Sequence, residues 1–114
     1  MKNDSDERLL EFIELSRLFD RYGGLLSEKS RKIVESYVVY DMSLGETASE
    51  TGLSRQGVRD TIQRCSKKLR EYEDRLGFLA KLDEAGEAVT ELENYIQGSE
   101  GLALIARIKK TLDI

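Results

Sequence analysis

No proline occurs anywhere in the 114-residue chain, so nothing forces a helix to break, and the nine glycines must supply most of the punctuation. Histidine is absent and cysteine occurs once. Cys65 has neither a partner for an internal disulfide nor a histidine for zinc-site spacing, and reads as a small packed hydrophobe. With no histidine, no glycine-rich phosphate loop after a strand and one buried thiol, the usual bases and nucleophiles are missing, so neither an enzyme nor a cofactor is expected. No stretch approaches the roughly 18 apolar residues of a membrane span, and Met1-Lys2-Asn3-Asp4 begins no apolar signal region. These absences imply a cytoplasmic protein without membrane insertion. Internal repeats and low-complexity segments are also lacking.

What is present is charge, at 35% of residues, and enough apolar side chains, at 39%, to exclude a wholly disordered polymer. Splitting a chain this short would leave each half too little core to offset its entropy, so a single helical domain over 1–114 is expected. The net charge of −4 argues against a non-specific nucleic-acid coat, yet it hides an asymmetry. Residues 1–53 carry 7 Lys/Arg against 11 Asp/Glu, and residues 71–114 carry 5 against 10. Between them, residues 54–70 carry six cations against Asp60 alone, a net of +5.

The apolar spacing is helical throughout. Leu9, Phe12, Leu15, Phe19 and Tyr22 share one face of a first helix over Asp6–Tyr22, which Gly23-Gly24 ends. Ser27 is placed to cap a second helix through Tyr40, with Ile33, Val34, Tyr37, Val38 and Tyr40 as its buried side. Ser43-Leu44-Gly45-Glu46 has capping-box spacing and opens a short third helix to about Glu50, closed by the turn Thr51-Gly52-Leu53. Ser54 caps a fourth, whose seam Val58, Ile62, Cys65, Leu69, Tyr72, Leu76 and Leu79 alternates steps of four and three. Gly77 stands to interrupt it. Leu82, Ala85, Val89, Leu92 and Ile96 repeat the spacing in a fifth helix, and beyond Gly98-Ser99 a last amphipathic helix carries Arg107, Lys109 and Lys110 near its C-terminal end, as the helix dipole favours. Such a seam serves a structural core or a dimer interface.

A short support helix, a tight turn and a second helix with an exposed first turn are the requirements of a DNA-binding helix-turn-helix, and about 43–70 meets them. Ala48 is small where the two helices must approach, Gly52 lies at the reversal, and Val58 lies where the second helix packs back. At about 100° per residue, Gln56, Arg59, Gln63, Lys67 and Arg70 point away from the buried stripe of Val58, Ile62 and Leu69. Arginine can grip guanine and glutamine adenine with paired hydrogen bonds, so Ser54, Arg55, Gln56 and Arg59 are the candidates for reading base edges. Arg64, Lys67, Lys68 and Arg70 are candidates for phosphate contacts, and the free N–H groups near Ser54 could hold another phosphate. A solvated basic face that merely balances acidic helices would have the same composition.

Three runs, Ser43-Leu44-Gly45-Glu46-Thr47-Ala48, Leu53-Ser54-Arg55-Gln56-Gly57-Val58 and Leu69-Arg70-Glu71-Tyr72-Glu73-Asp74-Arg75-Leu76-Gly77, resemble the bacterial YlxM-like proteins over roughly residues 8–110. Those are small helical proteins related to the helix-turn-helix of sigma factor region four, typically encoded beside the genes of the signal recognition particle and its receptor. The resemblance implies an all-α fold with a sigma-region-four-like helix-turn-helix and a C-terminal helical extension over about 71–114. It also implies a regulatory role in the signal recognition particle pathway. Two positions depart from the pattern. Thr47 stands where relatives usually place an apolar residue, and Gly57 stands where they usually have alanine, a change that costs a helix interior about 1 kcal/mol.

Two functions follow as expectations. One is a DNA-binding regulator acting as a homodimer, because a single short helix neutralises few phosphates. The other is an accessory factor that binds RNA or protein components of the signal recognition particle without reading a DNA sequence, relying on phosphates and shape because an RNA duplex hides its major groove.

Overall fold

A computed structural model describes residues 4–114. Its described residues form six α-helices and one 3-10 turn, with no strand, the all-α class that the sequence implies. The helices are α1 (Asp4–Tyr22), α2 (Glu28–Val38), α3 (Leu44–Thr51), α4 (Arg55–Leu76), α5 (Phe78–Glu93) and α6 (Ser99–Leu112). They divide into two compact units, the first ending at Leu76 and the second running Gly77–Ile114.

In the first unit α1, α2 and α3 all pack on α4. The reason is the α4 stripe: Val58, Ile62, Cys65 and Leu69 are all buried, and each such side chain removed from water contributes roughly 1.5–3 kcal/mol. Ile33 and Val34 of α2 and Ala48 of α3 meet the same core. Buried Leu15, Leu18 and Tyr22 line the C-terminal half of α1. Tyr22 donates its hydroxyl to Glu73 Oε1 at 2.5 Å, and its ring lies 6.1 Å from that of Tyr72. Phe12 meets Tyr37 edge-on at 5.5 Å, joining α1 to α2.

Several side chains differ from the sequence expectation, among them Leu76 and Leu92 of the two seams, which are exposed. Leu9 is exposed and Leu18 is buried in its stead, because the burial of α1 is concentrated in its C-terminal half. Tyr40 is 65% exposed. Helix α2 stops at Val38, and Asp41 takes a positive φ of 53°, so Tyr40 leaves the helical stripe that its spacing suggested.

The second unit is α5 packed on α6. Gly77 opens it with φ 65°, a left-handed conformation that costs glycine little and ends α4 where the seam would otherwise continue. Ile105 is the unit's buried apolar side chain, and Lys109 pairs with Glu93 across the two helices. Lys109 and Lys110 lie in the last turn of α6, as the dipole argument requires.

Candidate nucleic-acid interface

The supporting helix α3 begins with a complete capping box. Glu46 N–H donates to Ser43 Oγ at 3.1 Å, and Ser43 N–H donates to Glu46 Oε1 at 3.3 Å. The helix ends at Gly52, whose φ of 76° turns the chain while its N–H donates to the Ala48 carbonyl at 3.0 Å. Leu53 and Ser54 complete the reversal. Ser54 Oγ then accepts from Gly57 N–H at 2.9 Å and caps α4.

Ala48 and Val58 are both buried, as the close approach of α3 and α4 demands. Each departure from the family pattern has a visible consequence. A Cβ at Gly57 would lie 3.2 Å from Ser54 Oγ, so glycine leaves the cap undisturbed where alanine would press on it. Thr47 is fully buried, and its Oγ1 has no hydrogen-bond partner. Its neighbours Thr51 and Thr61 avoid this by donating to the carbonyls of Thr47 at 2.7 Å and Gly57 at 2.9 Å.

All nine residues singled out from the sequence, Ser54, Arg55, Gln56, Arg59, Gln63, Arg64, Lys67, Lys68 and Arg70, are exposed along α4 or at its start. They are not equivalent. The Arg55 guanidinium lies over Gly45 of α3, where a Cβ would come within 3.0 Å of Nε. Gln56 Nε2 donates to Asp60 Oδ1 at 2.8 Å, which engages the only acidic side chain of the basic segment. Arg70 pairs with Glu14 of α1 at 3.2 Å. Among the described residues Arg59, Arg64, Lys67 and Lys68 form no ion pair, leaving four cations open to solvent.

Two clefts flank this face. One, of about 380 Å³, lies between α1, α2 and α4 and includes Arg8, Glu11, Gln63 and Arg70. The other, of about 350 Å³, lies between the start of α2, the turn and α4, and includes Lys29, Ser30, Asp60 and Arg64. The proximity of Lys29 to Arg64 and of Gly45 to Arg55 is not legible in the sequence. Lys29 and Gly45 lie outside the basic segment, and only the packing of α2 and α3 on α4 brings them beside it.

A capped support helix, a glycine reversal and an exposed, basic second helix on a three-helix platform define an all-helical helix-turn-helix protein. Residues 9–110 match the UPF0122 family, described as "Putative helix-turn-helix protein, YlxM / p13 like", and the chain belongs to that family. The UPF0122 protein of Halalkalibacterium halodurans is 37% identical over 101 residues, covering 89% of this chain and 93% of the relative. That of Shouchella clausii is 38% identical over 102 residues, covering 86% and 94%. The Bacillus thuringiensis protein is 42% identical over 86 residues, covering 75% and 78%. No described helix is long and apolar enough to cross a membrane.

Proposed function

We propose that the protein is a DNA-binding regulator that reads a short site through the first turns of α4. The observation that carries this reading is the outer face of α4, where exposed Arg59, Gln63 and Lys67 follow one another behind a capped, solvent-facing helix start. Ser54, Arg55, Gln56 and Arg59 supply the base-edge contacts, with a good paired contact worth about 1–3 kcal/mol of discrimination. Arg64, Lys67, Lys68 and Arg70 hold phosphates and fix the register. Arg70 must exchange Glu14 for a phosphate to do so, so its net gain is the smallest of the four.

Useful affinity requires a homodimer, which presents two such helices to successive half-sites. Unit 77–114 offers exposed Leu92, Tyr95, Leu104 and Ile108 for that assembly. A cytoplasmic regulator of this kind would act where the genome is, with targets in the signal recognition particle pathway as the resemblance implies.

A second reading has its own observation. Gln56 donates to Asp60 and the Arg55 side chain packs over Gly45, while the phosphate-type cations Arg64, Lys67 and Lys68 are open. That balance suits an accessory factor that grips the phosphates of the particle's RNA without reading a sequence. Replacing Arg59 by alanine separates the two. A sequence reader loses its preference for the cognate duplex over an unrelated one by about tenfold or more, whereas a phosphate binder weakens equally on every duplex.

A further inference from the structure

Lys29 and Arg64 belong to different helices and to different charge segments, yet they line one cleft beside the helix-turn-helix. Lys29 stands in the first turn of α2 and Arg64 three turns along α4. Both are exposed, and neither forms an ion pair among the described residues. Lys32, in the next turn of α2, is by contrast taken by Glu28 at 3.3 Å.

We infer that Lys29 and Arg64 together clamp one backbone phosphate of the bound duplex, making α2 a second nucleic-acid-contacting element. The inference rests on the DNA-binding reading of α4. A helix lying in the major groove has a sugar-phosphate strand on each side, so cations on the flanks of the groove-facing stripe meet phosphates. Ile33, Leu53 and Gly57 line the cleft between the two cations and leave no further side-chain charge there except Asp60. Its one acidic member, Asp60, is turned to Gln56 by their 2.8 Å hydrogen bond. The hydroxyl of Ser30 adds a neutral donor at the rim.

The opposite flank lacks this character. The cleft with Arg8 and Arg70 also contains Glu11, and Arg70 is paired with Glu14. Arg70 there is met by a carboxylate of α1, whereas Lys29 and Arg64 form no ion pair among the described residues.

The test measures duplex binding by the full-length protein across a range of salt, with one duplex from the region upstream of its own gene and a scrambled duplex of equal length. Lys29→Gln and Arg64→Gln remove exposed charges and should leave the far-ultraviolet circular dichroism unchanged. Each should weaken binding to both duplexes by the same factor and reduce the slope of log K against log salt by about one. Because one phosphate is shared, the double variant should fall no further than either single variant. A Lys29→Gln protein with the wild-type slope overturns the clamp while leaving α4 as the DNA reader, provided Arg59→Ala still lowers the preference by about tenfold or more. Slope losses that add in the double variant overturn the shared phosphate. If the wild-type protein ignores both duplexes, the clamp and the DNA-binding reading fall together.

Discussion

Thr47 places a hydroxyl in the core of the helix that supports α4, with no partner for it. A buried hydroxyl without a hydrogen bond forfeits roughly 1–3 kcal/mol of solvation. Thr47→Val keeps the shape and removes the penalty, so thermal unfolding should show a gain of about 1–2 kcal/mol. Leu69, fully buried on α4, lies at the other extreme. Leu69→Ala should cost about 3 kcal/mol in denaturant unfolding, the sum of lost transfer energy and the cavity left behind. Thr47 stands out in the sequence as a departure from an apolar position, and it differs from Thr51 and Thr61, which bond back to helix carbonyls while Thr47 does not. That difference depends on rotamers, which follow from packing.

The caps and the reversal of the helix-turn-helix are legible because their causes are local, whereas α2 ends at Val38 short of the expected Tyr40 and α5 at Glu93 short of Ile96. Ser43 with Glu46, Ser54 with Gly57, and the reversal at Gly52 each involve residues within a few positions of one another. Gly52→Ala should therefore destabilise by about 1 kcal/mol, since an alanine pays for the left-handed conformation that glycine adopts freely. Ser43→Ala should cost a similar amount by freeing the Glu46 N–H, and thermal melts of both variants check this. The α4 stripe was legible too, since Val58, Ile62, Cys65 and Leu69 repeat at helical spacing and all four are buried. What escaped were features set by distant partners. The pairing of Arg70 with Glu14 spans 56 positions, and the exposure of Leu9 depends on where α1 meets α4. Gln56, Arg59, Gln63, Lys67 and Arg70 are exposed as their spacing requires, and the other four proposed contact residues are exposed with them.

At the scale of the whole molecule the core is unequally shared. Buried apolar side chains concentrate in the unit ending at Leu76, whereas Gly77–Ile114 contributes Ile105. Two helices with so little shielded surface would gain stability if, as proposed, a second copy covered their apolar side. Leu104→Asp with Ile108→Asp should accordingly convert a dimer to a monomer in sedimentation, leaving the helix-turn-helix folded but its affinity for DNA reduced. A wild-type protein that sediments as a monomer at the concentrations used for binding would remove the dimer from the proposal. The central claim, that α4 reads a DNA sequence, is tested most directly by one competition titration. Labelled duplex from upstream of the protein's own gene is challenged with unrelated duplex and with signal recognition particle RNA at low and physiological salt. Sequence reading predicts that the cognate duplex resists both competitors and that its advantage survives physiological salt. Equal displacement by unrelated duplex, or stronger displacement by the RNA, would contradict it.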